Sequence, residues 1–143
     1  MENKTAAYKF TIVVPVFNEE GNMSRLETVL KDFKEQARVK TCVLFVNDGS
    51  TDASGNMMKE ICARQSDFFF IECVRNGGLS AAMKAGIDYC YSDLVGYIDA
   101  DLQTTPEDFN LLLQHTDDYE LVRGMRTGRK DSIVKNLSSR IAN

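Results

Sequence analysis

The chain has 143 residues, of which 43% are hydrophobic and 27% charged, and its formal net charge is −4. These values are ordinary for a soluble globular domain that is large enough to build its own core. The acidic balance, without an aromatic and basic surface pattern, argues against nucleic-acid binding.

The sequence carries no signal for export or for crossing a membrane. Its first four residues are polar with no apolar stretch behind them, and no apolar run is long enough for a bilayer. Four cysteines are spread along the chain without a Cys-x-x-Cys pair: Cys42, Cys62, Cys73 and Cys90. Because such cysteines behave as small apolar residues, we expect reduced thiols and a cytoplasmic setting.

Strand and helix patterns alternate through the first 90 residues. The apolar, β-branched run Phe10–Val16 predicts a strand buried on both faces, which should end near Pro15 because proline cannot donate to a central ladder. The segment Asn47–Asp52 is a dense turn and helix-start signal. The predicted elements are a strand at 10–16, a helix containing 23–33, a strand at 42–46, a helix to about 64, a strand at 68–74 and a helix at 79–90.

The next apolar run, Leu94–Ile98, predicts a fourth strand that ends in two carboxylates, Asp99 and Asp101. Two acids beyond a buried strand are costly unless they are neutralised. A hard divalent cation, Mg²⁺ or Mn²⁺, shared with a phosphate-bearing substrate would neutralise them. The alternative is a pair of helix-capping or turn aspartates.

The last 40 residues hold the remaining predicted elements and, from Arg123 onward, a change of charge. Thr105–Asp108 predicts a helix start, with proline at the first helical position, and is followed by a short strand at Glu120–Val122 and a helix at Ser132–Ile141. From Arg123 onward there are six basic residues and one acidic residue. This segment is either a solvated basic helix face or a patch for an anionic partner, such as a phosphate or a membrane surface.

The alternation of strands and helices predicts an α/β fold with a mostly parallel, Rossmann-like sheet and helices on both faces. In such sheets ligands bind at the carboxyl ends of the strands. Polar clusters follow five predicted strands, so we expect them to converge on one cleft. They are Asn18–Glu19, Asn47–Asp52, Arg75–Asn76, Asp99–Asp101 and Arg123–Arg126.

Three segments resemble a known family in order and spacing: residues 14–20 (VPVFNEE), 46–52 (VNDGSTD) and 99–103 (DADLQ). They resemble the inverting family 2 glycosyltransferases of the GT-A fold. The Arg75–Gly78 turn, the proline after the DADLQ segment and Gly124–Arg126 are similar to the polyprenyl-phosphate branch, which contains dolichyl-phosphate mannose synthase and bacterial undecaprenyl-phosphate enzymes. The resemblance extends from about Phe10 to the end.

This resemblance implies roles for the matching residues on the donor side. Pro15, Phe17 and Glu19 would line the nucleotide pocket. Val46 and Asp48 would read the base and ribose, with the carboxylate accepting hydrogen bonds. The segment Asp99-Ala100-Asp101 would complete the nucleotide-sugar site and hold the divalent ion, with Asp101 the more direct ligand to the diphosphate.

The resemblance also implies the acceptor side and the reaction. Arg126 would address an acceptor phosphate, with Arg129, Lys130 and Arg140 as further candidates. Transfer would be one in-line displacement at the sugar C1, in which Asp101 and Arg126 are the catalytic residues that stabilise the departing nucleoside diphosphate. A phosphate acceptor is already an anion, so no strong general base is required. UDP-sugars are favoured over GDP-sugars as donors.

Two features depart from the family pattern. Leu79 and Ser80 stand where a Lys or Gln and a small or acidic residue are expected, which weakens the case for a donor contact from that turn. The chain stops at Asn143 within a predicted helix, whereas family members continue into acceptor-site and membrane-associating segments. We therefore expect residues 1–143 to be the donor-binding part of a GT-A domain truncated at its C-terminus, with incomplete or no transfer activity alone.

Other functions remain open from the residues. A glycosyltransferase acting on a polysaccharide would share the donor motifs, and a non-catalytic nucleotide-binding fragment would bind without turnover. A dinucleotide-binding dehydrogenase is disfavoured, because Glu19 and Glu20 follow the first strand in place of a glycine-rich turn. The full-length protein would meet polyprenyl phosphate at the cytoplasmic face of a membrane. An open sheet edge would favour a homodimer.

Overall fold

The computed structural model describes residues 3–124, and the chain divides after Leu111 into two compact units. The first unit contains the sheet, its helices and the cleft described below. Short 3₁₀ helices lie at Lys4–Ala7 and Leu113–His115. The other elements are β1 Phe10–Val16, α1 Glu20–Gln36, β2 Thr41–Asn47, α2 Ser54–Arg64, β3 Phe68–Glu72, α3 Leu79–Tyr89, β4 Leu94–Tyr97 and α4 Asp108–Leu112.

The four strands form one parallel sheet in the order β3-β2-β1-β4. The chain builds outward from β1 through β2 to β3 and then returns to the other side of β1 with β4. The strand order therefore reverses beside β1, which is where an α/β sheet opens a crevice at the carboxyl ends of its strands. The prediction of a parallel sheet with connecting helices is confirmed.

Proline is accommodated in the central strand because of where the neighbouring strand stops. Pro15 pairs with Val46 of β2, but the pairing between β1 and β4 runs only from Phe10 to Val13. The Val13 carbonyl accepts from Ile98 N on the β4 side at 3.2 Å. Two residues on, Pro15 faces the same side, beyond the end of the ladder, so its missing N–H costs no strand bond.

Helices cover both faces of the sheet. On one face α3 closes a buried cluster of Val13, Leu44, Val46 and Ala82, while α1 and α2 cover the other face. Gly86 lets α3 approach closely, because a Cβ there would lie 2.4 Å from Val13 Cγ1 and 3.0 Å from Val46 Cγ2. The central strands β1 and β2 are thus buried on both faces, as their nearly continuous apolar sequences predict, whereas the edge strands β3 and β4 are partly exposed.

The predicted strand at residues 120–122 is wrong. Residues 120–124 belong to no strand, and Leu121 is 84% exposed. Three residues with two apolar side chains can form a strand only when a neighbouring strand and a core accept them, and β propensity depends on that context. The predicted helix at 132–141 lies outside the described residues.

Burial makes the thiols of Cys42 and Cys62 weaker acids than a free cysteine. The four cysteines are free, and burial raises the pKa of the Cys42 and Cys62 thiols to about 11. Such thiols stay protonated near neutral pH and are poor nucleophiles.

Within residues 3–124, no helix has both the length and the apolar character needed to cross a bilayer.

Candidate active site

A cleft of about 290 Å³ opens at the carboxyl ends of β1, β2 and β4, beside the start of α3. Seven of the eight predicted donor-site residues line it. The two most exposed apolar side chains of the cleft are Phe17, at 45%, and Leu79, at 51%. The lining residues are Pro15, Val16, Phe17, Glu19, Asp48, Asn76, Gly78, Leu79, Ala82, Asp99, Ala100 and Asp101.

The eighth predicted residue, Val46, does not reach the cleft. It is fully buried in the cluster beneath α3, next to Gly86. Side chains alternate along a strand, but β2 is apolar on both faces, so the sequence does not reveal which of its residues face a ligand. Val46 is therefore a core residue that supports the floor of the site.

Hydrogen bonds join the loop after β1 to the loop after β2. Asn18 has a φ of +55°, and its side-chain oxygen accepts from Thr51 N at 2.8 Å. Glu20 N donates to Asp52 Oδ2 at 3.1 Å. In return, Ala53 N donates to Glu20 Oε2 at 2.9 Å. Asparagine tolerates the left-handed region and bonds its surroundings with a short side chain. The polar segments at 18–20 and 51–53 thus shape one rim of the cleft.

Two further bonds hold the backbone where α1 and α2 begin, at Glu19 and Ser54. Ser54 Oγ accepts from Glu19 N at 2.8 Å, and Asp52 Oδ1 accepts from Ser54 N at 2.9 Å. Desolvation acts against the ionisation of Asp52, but hydrogen bonds from Ser54 and from the Glu20 amide outweigh it and lower the pKa of this carboxyl. The backbone at Glu19, which lines the cleft, is therefore held from the side of β2.

Asp48 lies at the end of β2 and is only 3% exposed. Its Oδ1 accepts from Gly77 N and its Oδ2 from Gly78 N, each at 2.8 Å. The next residue, Gly49, has a φ of +72°, and a Cβ there would lie 2.7 Å from Asn76 N. The end of β2 is thus fastened to the turn that precedes α3. The sequence predicted Asp48 in the site but not this use of its carboxylate.

The two acids after β4 occupy different surroundings. Asp99 is partly buried and accepts a hydrogen bond from the Tyr97 hydroxyl, whereas Asp101 is exposed and accepts from Gln103 N at 3.1 Å. Burial and the bond to Asp99 raise the pKa of the Tyr97 phenol, so it remains a donor. Leu102 follows with a φ of +53° although it is a buried leucine. A bulky residue in that region marks local strain, which is typical of functional sites.

The carboxylates of Asp99 and Asp101 fit a cation that takes its remaining ligands from the substrate and from water. Among the residues that the structure describes, no cluster of three or more His, Cys, Asp or Glu side chains could hold a metal ion. Asp99 and Asp101 would therefore supply one or two carboxylate ligands, with phosphate oxygens and water as the rest. Mg²⁺ is commonly bound in this way at phosphate-transfer sites.

The residues predicted to contact the acceptor phosphate come late in the chain. Arg126, Arg129, Lys130 and Arg140 all lie outside the described residues. His115 is exposed in the second 3₁₀ helix. Asn76 lines the cleft, as expected for the Arg75–Asn76 cluster. Gly78 and Leu79 also line it although neither was among the predicted donor-site residues, and the turn signal at 75–78 points to the first of them.

The segment that contains the cleft residues also matches known proteins. A family model described as "Glycosyl transferase family 2" matches residues 11–140. An undecaprenyl-phosphate 4-deoxy-4-formamido-L-arabinose transferase of Pseudomonas fluorescens is 33% identical over 135 residues, covering 93% of this chain and 40% of that protein. The chain therefore spans less than half the length of the curated relatives it matches.

Two solved structures share the fold. A mannosyltransferase from Pyrobaculum calidifontis, in complex with GDP-Man and Mn²⁺, has a TM-score of 0.59 at 21% identity, covering 66% of this chain and 28% of that one. TarS 1-349 of S. aureus, in complex with UDP, has a TM-score of 0.59 at 21% identity, covering 75% of this chain and 32% of that one. At this level of identity the likeness concerns the arrangement of the sheet and its helices.

Proposed function

The chain belongs to glycosyl transferase family 2 and has the GT-A fold, and from this premise we propose that it is the donor-binding part of an inverting, metal-dependent glycosyltransferase. The sugar donor is a nucleoside-diphosphate sugar, and the acceptor of the whole enzyme is a polyprenyl phosphate. The observation that carries the proposal is the convergence of seven predicted donor-site residues on one cleft. The bound GDP-Man and UDP of the two structural neighbours, and the name of the curated relative, support it.

On the donor side, each wall of the cleft has a chemical use. Phe17 and Pro15 offer apolar surface to the base and ribose, and aromatic faces stack on bases. Asp99 and Asp101 would hold a divalent cation, Mg²⁺ or Mn²⁺. When bound, it would supply Lewis acidity and positive charge to the leaving diphosphate.

On the acceptor side, the reaction needs no proton transfer from the protein. An ionised phosphate oxygen forms the new bond to the sugar C1 as the bond from C1 to the nucleoside diphosphate breaks. Arg126 orients the acceptor phosphate through its planar guanidinium, and Arg129, Lys130 and Arg140 add positive charge. A phosphate anchored by a lipid tail would be met at a membrane surface, and we assign the reaction to its cytoplasmic face.

The donor site is tested by calorimetric titration of UDP and of GDP into the protein, with and without Mn²⁺. We expect one nucleotide, UDP in preference to GDP, to bind at least about tenfold more tightly with Mn²⁺, because the cation links the diphosphate to the two carboxylates. Failure of both nucleotides to bind in the presence of Mn²⁺ would contradict the proposal.

The acceptor site is tested by sedimentation of the protein with vesicles that contain undecaprenyl phosphate. Replacing Arg126 with alanine should weaken this binding about tenfold, because a charge-assisted bond to the phosphate is lost. Arg38, an exposed arginine just after α1, provides the matched control. If Arg38→Ala and Arg126→Ala weaken binding equally, the attraction is nonspecific and the assignment of Arg126 is wrong.

A further inference from the structure

The tyrosine that ends β4 is bonded to the first of the two acids that follow the strand. Tyr97 pairs with Val13 of β1, and its hydroxyl donates a hydrogen bond to Asp99 Oδ1. Side chains two residues apart along a strand lie on the same face. Ile98, between them, is only 3% exposed and belongs to the core. The phenol and the carboxylate therefore meet just beyond the end of β4.

Tyr97 reaches this carboxylate from outside the cleft. Asp99 and Asp101 line the cleft, whereas Tyr97 does not, and both Tyr97 and Asp99 are partly buried. Within residues 3–124, the Tyr97 hydroxyl is the hydrogen-bond donor that the structure gives to the Asp99 carboxylate. A carboxylate has about four acceptor positions, so one bond from Tyr97 fixes its orientation and leaves positions open towards the cleft.

The backbone around the two acids is fixed by different bonds. Leu102 N donates to Asp99 O at 3.3 Å and closes the turn, while Gln103 N donates to Asp101 Oδ1 at 3.1 Å. The carboxylate of Asp101 is thus oriented by its own turn. That of Asp99 receives no such bond from the turn, and Tyr97 supplies its orientation.

Orientation matters because a small hard cation accepts its oxygen ligands only in a narrow geometry. A carboxylate free to rotate would lose side-chain entropy on taking up that geometry. Groups that hydrogen-bond a metal ligand from behind commonly change metal affinity by about 10–100-fold when they are removed.

We infer that Tyr97 is a positioning residue for the cation of the donor site, because its hydroxyl holds the Asp99 carboxylate towards the cleft before the cation arrives. This inference deepens the proposed function and rests on it for the identity of the ligands. Its direct consequence is that removing the hydroxyl weakens only that part of nucleotide binding which depends on the metal.

The first test is titration of UDP and GDP into Tyr97→Phe, with and without Mn²⁺. This substitution keeps the ring and removes only the oxygen. The affinity of the favoured nucleotide with Mn²⁺ should fall about tenfold, and its affinity without Mn²⁺ should be unchanged. Binding of Mn²⁺ itself, followed by electron paramagnetic resonance, should weaken by the same factor.

A double-mutant cycle shows whether Tyr97 acts through Asp99. In an Asp99→Ala background the carboxylate is absent, so Tyr97→Phe should lower the affinity with Mn²⁺ by less than about twofold. A hydroxyl with a merely structural role would cost the same in both backgrounds. Circular dichroism of each variant reports whether it is folded.

Tyr8→Phe is the matched control. Tyr8 is also partly buried, and its ring packs edge-on against Phe69 with 5.9 Å between the ring centres. It lies just before β1, does not line the cleft and makes no contact with either acid that would orient it. Removing its hydroxyl should leave nucleotide and Mn²⁺ affinities unchanged.

Three results would overturn the inference. The first is unchanged affinity for Mn²⁺ in Tyr97→Phe, and the second is an equal loss of nucleotide affinity with and without the metal. The third is a tenfold loss that persists in the Asp99→Ala background. If the wild type binds neither nucleotide with Mn²⁺ present, the proposed function fails instead, and the affinity for Mn²⁺ alone in wild type and Tyr97→Phe still decides the role of Tyr97.

Discussion

Replacing Gly49 with alanine should lower the free energy of unfolding by about 2–4 kcal/mol, which combines the cost of a left-handed backbone with that of an overpacked contact. A Cβ at this position would lie 2.7 Å from Asn76 N and 2.9 Å from Arg75 C, and the φ of Gly49 is +72°. Both neighbours are backbone atoms, so no side chain can rotate away to make room. Urea unfolding followed by circular dichroism measures the effect.

A second glycine provides the control for that substitution. At Gly21, in the first turn of α1, a Cβ would meet nothing within 4 Å, and its backbone is helical. Alanine there should leave stability unchanged or raise it by about 0.5–1 kcal/mol. If Gly49→Ala proves as harmless as Gly21→Ala, the close approach of the β2 end to the 75–76 backbone is not a constraint on the fold.

Replacing Asp101 with asparagine should reduce Mn²⁺-dependent nucleotide affinity by about a hundredfold, at the upper end of the losses measured even for residues that only orient metal ligands. Asp101 is the more exposed of the two acids and accepts one backbone bond, from Gln103 N, which orients the carboxylate. The amide of asparagine keeps the shape but removes the charge that a hard cation requires. Titration with UDP and GDP, with and without Mn²⁺, measures the loss.

Specificity of that effect is judged against two other aspartates. Asp99→Asn should cost less, because Asp99 already shares one oxygen with the Tyr97 hydroxyl. Asp93→Asn, which removes the Asp93–Lys9 ion pair just before β4, should have no effect on binding. Affinity without Mn²⁺ should be the same in all three variants. A hundredfold loss in the absence of metal would show that Asp101 acts on the nucleotide and not through a cation.

The parts of the fold that the sequence predicts well are those dictated by local pattern. The four strands start within one residue of their predicted positions, because apolar β-branched runs and turn residues both mark them. The strand expected at 120–122 fails, since Leu121 and Val122 cannot form a strand without a partner. β1 spans residues 10–16 as predicted, and it can contain Pro15 because β4 is too short to need the missing donor.

In the candidate site too, some residues could be predicted from the sequence and some contacts could not. Glu19, Asp99 and Asp101 were predicted to lie together because they follow strands that end at the same edge, whereas Pro15 and Phe17 were assigned to the site from the resemblance to family 2 glycosyltransferases. The partners of Asp48 could not be predicted, since a bond to Gly77 and Gly78 spans about 30 residues and depends on how β3 returns to the sheet. The core position of the Val46 side chain could not be predicted for a related reason: which face a residue of a doubly buried strand occupies is decided by packing against α3.

The bonds between the loops at 18–20 and 51–54 have a consequence for the thermodynamics of binding. Because these loops hold each other through Asn18, Glu20 and Asp52, the rim is already ordered before any ligand arrives. A ligand that entered a pair of loose loops would lose affinity to the entropy of ordering them, at roughly 1–2 kcal/mol for each backbone residue fixed. In this cleft that entropy is lost during folding, so the ordering of these two loops does not subtract from the affinity for a nucleotide.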